Sequence, residues 1–326
     1  MVPKGSLRSE TKYCGPVPFS RSVALSGAIG WRPGTLFQTR GSASLATMIS
    51  RRPRPDQARL LAPLASKSAI EEKICVVVAH PDDETVGLGG QLPRMLNAIL
   101  VVVTDGAPRN LADASRLGFA GAADYAAARR NELLHALAFA GLGEDRLVML
   151  GLPDQESAFH LSAICRSLGD LFRAERPEIV ITHAYEGGHP DHDAVALAVH
   201  GACALPGQEG AAPALVEIPL YRAAGREWAR QCFEPWRHAP ALSLRLSAPE
   251  EALKRKMMVA HATQSATLAG FGTAVEHFRA APPYDFTELP NGGELLYERY
   301  QWGMTGARWQ SLARQALSDL SRAPVR

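Results

Sequence analysis

Two short stretches concentrate the residues that could do chemistry. His80-Pro81-Asp82-Asp83-Glu84 follows directly on the apolar run Ile74-Cys75-Val76-Val77-Val78-Ala79. His189-Pro190-Asp191-His192-Asp193 follows a second such run, residues 179–182, after a Gly-rich loop. In the first stretch Pro81 forces a turn, so His80 and Asp83 can curl toward one point while Asp82 looks elsewhere. An imidazole and a carboxylate converging there make two-thirds of a metal site, although the same residues also describe an acidic turn capping a helix. In the second stretch Pro190 suits the first turn of a helix, and Asp191 and Asp193 suit its positive end. Two imidazoles three residues apart at a helix entrance can lie on one side; alone, they also describe a surface helix with incidental histidines. Jointly, two His/Asp clusters, each at the carboxyl end of a strand, point to one metal held by a His-Asp-His set.

The elements that must position them are legible in the apolar pattern. Residues 74–79, 99–103, 147–150 and 179–182 are short continuous apolar runs, as expected of strands buried on both faces of a parallel sheet. Between them, residues 123–140 read as a helix with Ala126, the stem of Arg130, Leu133, Leu137 and Ala140 on one side, stopped by Gly141. Residues 161–174, with a stripe of Leu161, Ile164, Leu168 and Phe172, and residues 194–204 read as further helices. Strands alternating with helices imply an α/β fold: an open, mostly parallel, Rossmann-like sheet with helices on both faces. The carboxyl ends of its strands are where ligands bind. The connection from Gly90 to Ile99 is short for a full crossover helix. Beyond Leu205 the pattern weakens, with short strands expected at 216–220 and 242–246 and a capping box from Ser247 to Glu250 opening a helix. The aromatic stretch beyond Pro282 is expected to pack on the main domain as a C-terminal extension.

The chain has 326 residues, 46% hydrophobic and 21% charged, with a formal net charge of +2. This near-neutrality gives no global argument for nucleic acid or an acidic membrane surface as partner. No apolar run approaches the ~18 residues of a spanning helix. Five cysteines, Cys14, Cys75, Cys165, Cys203 and Cys232, lack Cys-x-x-Cys spacing, and a reducing, cytoplasmic compartment is the simpler expectation. The charge is unevenly spread: residues 1–70 hold 11 Lys/Arg and 2 Asp/Glu, the remainder 24 and 31. Residues 1–70 therefore read as a basic, mostly disordered extension with one short helical hint at 59–65. Its composition resembles a transit peptide, but no amphipathic helix opens the chain, and Met48 offers an alternative start. The expected organisation is extension 1–70, catalytic domain 71–302 and tail 303–326.

Ala79-His80-Pro81-Asp82-Asp83-Glu84 and His189-Pro190-Asp191-His192 together resemble the paired motifs of the LmbE-like, or PIG-L, N-acetylglucosaminyl deacetylases. The likeness is good over residues 73–204 and weak to about 302. It implies hydrolysis of an N-acetyl amide on a sugar or glycoconjugate, with His80, Asp83 and His192 as ligands of Zn²⁺, or of another divalent metal such as Fe²⁺. It further implies Asp82 as general base, His189 as oxyanion stabiliser or proton-transfer partner, and Asp191 as the carboxylate that orients a histidine. Arg129, three residues before Glu132, resembles an arginine that faces the sugar in the family, though a salt bridge along the helix describes it equally. Asp154 matches a position at the pocket rim. Some relatives place an aromatic hydroxyl two residues before the first His of the second motif; here that residue is Gly187, with Tyr185 nearby but out of register.

Other chemistries are less well supported. There is no Gly-x-Ser-x-Gly elbow and no Walker sequence. Gly87-Leu88-Gly89-Gly90 lacks the third glycine of a dinucleotide fingerprint and is expected to let the first helix pack closely on the sheet. Two histidines and a carboxylate also describe the facial triad of non-haem iron oxygenases, and a non-catalytic metal- or sugar-binding relative would keep the same residues. Of the other histidines, His183 is expected to line the pocket because it ends the strand leading to the second motif. His135, His160, His200, His238, His261 and His277 are read as surface or packing residues. Lys256, His261 and Gln264 resemble a loosely patterned family helix that packing explains equally.

Overall fold

The computed structural model describes residues 44–51, 56–205, 212–236, 238–300 and 302–322. Two short helices, α1 (Leu45–Ser50) and α2 (Gln57–Ala65), precede β1 (Ile74–Val78), α3 (Asp83–Leu88) and β2 (Ile99–Pro108). Then come α4 (Ala112–Arg116), α5 (Ala122–Phe139), β3 (Leu147–Asp154), α6 (Leu161–Glu175), β4 (Ile179–His183) and α7 (Pro190–Ala204). The second half contributes β5 (Ala214–Ile218), a hairpin of β6 (Tyr221–Ala224) and β7 (Glu227–Arg230), and β8 (Leu242–Arg245). It ends with α8 (Ala248–Ala260), α9 (Ser265–Leu268), β9 (Val275–Ala280) and α10 (Gly306–Arg322).

Seven strands form one open sheet in the order β3-β2-β1-β4-β5-β9-β8. The first five are parallel, and β9 runs antiparallel between β5 and β8. The strands alternate their side chains between two cores. Cys75, Val77, Val101 and Val180 face a layer containing α1, α6, α7 and α10, whereas Ile74, Val76, Val102 and Ile181 face one containing α2, α5 and α8. Both faces are therefore dry, which is why these strands read as continuous apolar runs. β1 sits beside β4 with Cys75 opposite Val180 and Val76 opposite Ile181. The chain reaches β2 on one side of β1 and β4 on the other, so the crevice between β1 and β4 is the switch point of the sheet.

The expected helices are present, and the stripe of α6 is buried as read. In α5 the buried face runs through Tyr125, Arg129, Leu133, Ala136 and Leu137. It is Arg129 that turns inward, while Arg130 pairs with Glu144 at the surface. The step from β1 to β2 holds only the six residues of α3 and a 3-10 turn. A Cβ at Gly87 would meet the Ile218 side chain 2.3 Å away, so this glycine does permit close packing of α3 on the sheet.

The structure departs from the expected divisions at residues 70 and 302. Residues 44–70 include α1 and α2, whose Leu45, Ile49, Leu60, Leu61 and Leu64 are all buried in the two cores. The disorder expected of residues 1–43 lies outside the described residues. Most of the expected tail is α10, which buries Trp309, Ala313, Leu317 and Leu320 against the layer of α6. Each large side chain so buried contributes about 1.5–3 kcal/mol, enough to make this helix part of the domain. Strand β9 was not expected, because Glu276 and Arg279 interrupt its apolar pattern. Both are buried in ion pairs, with Lys254 at 2.8 Å and Glu217 at 3.0 Å respectively.

Candidate functional site

β1 ends at Val78 and the chain turns sharply through His80, Pro81 and Asp82 into α3. Asp82 adopts φ 149°, ψ −23°, a conformation that L-residues rarely take. Turning the chain in this way separates two adjacent carboxylates. Asp83 faces inward, and its Oδ2 accepts from the backbone N–H of His80 at 2.7 Å. Asp82 faces Arg129, 2.9 Å away.

The second motif reaches the same crevice because β4 is the neighbour of β1. His192 Nε2 lies 3.2 Å from His80 Nδ1 and 3.4 Å from Asp83 Oδ1, and His80 Nδ1 is 3.3 Å from Asp83 Oδ2. A tetrahedral ion with bonds of about 2.0–2.1 Å separates its ligand atoms by about 3.3–3.4 Å; the two imidazole nitrogens match this spacing, and the Asp83 carboxylate reaches it with Oδ1 toward His192 and Oδ2 toward His80. The donors, two imidazoles and one carboxylate, suit zinc and also other first-row ions. His80, Asp83 and His192 thus converge as the sequence suggests.

Around this triangle the other residues take distinct places. His80 Nε2, the nitrogen away from the triangle, is 3.3 Å from both Asp154 Oδ1 and Asp191 Oδ2. A carboxylate on the second nitrogen fixes the ring's orientation, as in metal-bound histidines generally. Asp191 also accepts from the backbone N–H groups of Gln155 at 2.6 Å and Ser157 at 2.9 Å, tying the end of β3 to α7. A second group, His80, Asp154, His189 and Asp191, is close enough to hold an ion, but Asp191 is already committed to those backbone donors. His189 Nδ1 accepts from the Asp191 N–H at 3.1 Å, which leaves the ring proton on Nε2. Arg129 donates to Gly106 O at 2.6 Å and Pro81 O at 3.1 Å as well as to Asp82. Its anticipated partner along the helix, Glu132, instead accepts from Thr263.

Electrostatics favour a cation here. Four carboxylates, those of Asp82, Asp83, Asp154 and Asp191, are buried in one cluster, and Asp82 and Asp154 pair with Arg129. Burial opposes charge on His80, but Asp154 and then Asp83 overcome it and raise its pKa well above the ordinary histidine value. Burial likewise opposes charge on Asp154, yet His80 above all, helped by His189 and Arg129, holds it well below the usual carboxylate range. Burial pushes Asp82 up to about 6 against the pull of Arg129. Burial pushes His189 and His192 down to about 3, which keeps both rings neutral.

The cluster opens into a cavity of about 140 Å³. His80, Asp82, Arg129, Asp154 and His189 line it, together with the polar Asp113, Gln155, Gln264 and Thr267 and the aromatic Tyr221, Phe271 and Trp302. Tyr221, Phe271 and Trp302 carry no local motif that would have marked them. His183 is fully buried behind the cluster rather than lining the cavity: it stacks on His192 at 4.2 Å and its Nε2 accepts from Ala79 N–H at 2.8 Å. His261 is also buried, 3.2 Å from Thr85 Oγ1 and 3.6 Å from Glu84, beneath the first motif. Tyr185 belongs to the core, where its hydroxyl donates to Glu288 O at 2.8 Å and accepts from Trp309 Nε1 at 2.6 Å.

An open, mostly parallel α/β sheet with a His/Asp cluster at its switch point defines the class. Within it, residues 75–203 match the model of the PIG-L family, described as GlcNAc-PI de-N-acetylase. Over 174 residues it is 29% identical to the 1D-myo-inositol 2-acetamido-2-deoxy-alpha-D-glucopyranoside deacetylase 2 of Catenulispora acidiphila, covering 46% of this chain and 57% of that one. Over 169 residues it is 30% identical to the corresponding deacetylase of Salinispora arenicola, covering 45% and 55%. The match thus spans little more than half the length of these curated relatives. Among solved structures, the A40926 pseudoaglycone deacetylase Dbv21 shares the fold with a TM-score of 0.52 at 18% identity, over 66% of this chain and 98% of that one. No helix among the described residues is long and apolar enough to cross a membrane.

Proposed function

We propose that the chain is a zinc-dependent N-deacetylase that hydrolyses the acetamide of a small N-acetylated sugar or glycoconjugate, releasing acetate and a free amine. One observation carries this reading: the 3.2–3.4 Å triangle of His80, Asp83 and His192 stands beside a carboxylate, Asp82, that is not part of it. The relatives' names, which specify an acetamido-glucopyranoside deacetylase, support the substrate class.

A divalent ion held by His80, Asp83 and His192 would supply an acidified water and a Lewis acid for the amide carbonyl. Asp82 is the base that takes the water's proton and returns one to the departing amine. Arg129 holds its carboxylate in position and in the ionised form. His189, neutral and with its proton on Nε2, donates to the carbonyl oxygen as negative charge develops there. Asp191 and Asp154 keep the His80 ring oriented, and Asp154 and Arg129, which line the cavity, are the residues that contact the substrate. Cys75 and Cys165, both buried and free, suit a reducing, cytoplasmic location.

The test pairs metal analysis of the purified protein with an acetate-release assay on N-acetylglucosamine glycosides. One tightly held divalent ion per chain and metal-dependent acetate release are expected. Oxygen uptake in place of acetate release would transfer the site to iron oxygenase chemistry, and metal without turnover on any acetamide would make it a binding protein.

A further inference from the structure

Asp82 sits in a strained turn, with φ 149° and ψ −23°, and is held there from two sides. Its carboxylate pairs with Arg129 at 2.9 Å, and its backbone N–H donates to Glu84 Oε2 at 3.1 Å. Glu84 is fully buried, and its other oxygen, Oε1, accepts from the Thr85 hydroxyl at 2.6 Å. That hydroxyl lies 3.2 Å from Nε2 of His261, which stands at the C-terminal end of α8, 176 residues further on. His261 Nδ1 has no hydrogen-bond partner among the described residues, so the ring proton belongs on Nε2. A buried chain of bonds then runs from His261 to Thr85 to Glu84, and the Asp82 N–H meets the far oxygen of the same carboxylate.

The loop that carries His261 is itself fixed. The N–H and hydroxyl of Thr263 donate to the two oxygens of Glu132 at 2.8 and 2.7 Å, and Gln264 Nε2 donates to the Tyr125 hydroxyl at 2.6 Å. Tyr125, Arg129 and Glu132 all belong to α5. One helix therefore reaches Asp82 twice, directly through Arg129 and, by way of the tethered loop, through His261. Buried polar networks whose members are paired rigidify what they touch. With a donor on each oxygen the Glu84 carboxylate keeps one orientation, and that orientation fixes the Asp82 N–H.

We infer that Glu84, Thr85 and His261 are positioning residues for Asp82, locking the turn that points its carboxylate into the cavity. The inference rests on the deacetylase reading for what Asp82 does and goes beyond it in assigning what keeps Asp82 in place. Without the chain of bonds the turn relaxes toward ordinary backbone angles, and a displacement of about 1 Å in a reacting group can cost about 10²-fold in rate.

The experiment places His261→Leu in the parent and in Asp82→Asn, each as the zinc-loaded full chain. It measures kcat and KM for acetate release, the zinc-dependent rise in melting temperature, and the crystal structure. In the parent background kcat is expected to fall about ten- to a hundredfold, with KM and the zinc-dependent rise unchanged. His261→Gln, whose amide donates from near the position of Nε2, should recover most of the loss. In the Asp82→Asn background the same His261→Leu change should alter the residual rate by less than about twofold, because a residue that acts through Asp82 has nothing left to position. Equal falls in both backgrounds, loss of the zinc-dependent rise, or an unchanged kcat overturns the inference. The crystal structure reads position without chemistry: the Asp82 carboxylate should shift relative to Arg129 while His80, Asp83 and His192 stay together, and an unmoved Asp82 overturns the inference as well. If the parent releases no acetate, the deacetylase reading fails and the Asp82 shift still decides the positioning. Should His261→Leu not fold, the isosteric Thr85→Val takes its place in every arm.

Discussion

The Arg129 guanidinium lies 2.9 Å from the Asp82 carboxylate, both buried, and the two come from α5 and from the turn after β1, 47 residues apart. This ion pair holds the proposed base beside the His80, Asp83 and His192 cluster but out of it. The glycine at 106 is part of the same arrangement: its φ is +68°, and a Cβ there would stand 2.4 Å from Arg129 Nη1.

Replacing Asp82 with Asn keeps the shape and one acceptor for Arg129 but removes the base. Metal content should match the parent protein, whereas acetate release should fall by about 10²-fold or more. Full turnover in Asp82→Asn, measured alongside metal stoichiometry, would refute the assignment.

Arg129→Met leaves Asp82 buried without its cation. Breaking such a pair typically costs about 3–5 kcal/mol, readable as a lowered denaturant midpoint. Because Arg129 pulls the Asp82 pKa downward against burial, its loss should raise that pKa. The acidic limb of the pH–rate profile should therefore move to higher pH than in the parent; an unshifted limb would show that Asp82 is not the titrating base.

Without the proposed metal, the buried carboxylates of Asp82, Asp83, Asp154 and Asp191 lack its balancing charge. Chelation should abolish acetate release and lower the melting temperature, and zinc should restore both. An ion at 100 times its Kd adds about 2.7 kcal/mol to the folded state. His192→Ala and Asp83→Ala should lose the zinc-dependent rise in melting temperature, and retention of the full rise would place the ion elsewhere.

Glu186 lies buried in the loop after β4, where its Oε1 accepts from Leu220 and Tyr221 N–H groups at 2.9 and 3.1 Å. Burial pushes its pKa up to about 8; those hydrogen bonds and Arg279 oppose the shift and Asp193 adds to it. A raised acid binds its proton more tightly in the folded state, so its stabilising effect is complete below the unfolded value near 4.5 and is lost as pH rises through about 8. Glu186→Gln, which keeps the Oε1 acceptor, should flatten this fall. Denaturant midpoints of the variant and parent across pH 5–9 test it, and parallel curves would exclude it.

Lys254 Nζ sits between Glu276 Oε1 and Val86 O, 2.8 Å from each, with neither charged side chain exposed. Lys254→Met should destabilise by about 3–5 kcal/mol because Glu276 is left buried and unpaired, while Lys254→Met with Glu276→Leu should recover much of it. A double variant no better than the single one, by denaturant titration, would show that the pair is not the source of the loss.

Amino-acid order alone determined the strand runs 74–79 and 179–182, which fold as Ile74–Val78 and Ile179–His183, the helix stripe on Leu161, Ile164, Leu168 and Phe172, and the two His/Asp motifs. These are local patterns: an apolar run or a 3.6-residue repeat is complete within its own element. Tertiary structure decided where charged residues could be buried, and this is where the reading from residues fell short. Arg129 faces inward because Asp82 awaits it, and β9 tolerates Glu276 and Arg279 because Lys254 and Glu217 lie on neighbouring elements. The amphipathic α10 went unread among the aromatic residues of the last segment. His261 becomes a partner of Thr85 only when the loop after α8 meets the first motif. A buried charge or a buried polar link has its stabilising partner far away in sequence, so only the folded chain brings the two halves of each interaction together.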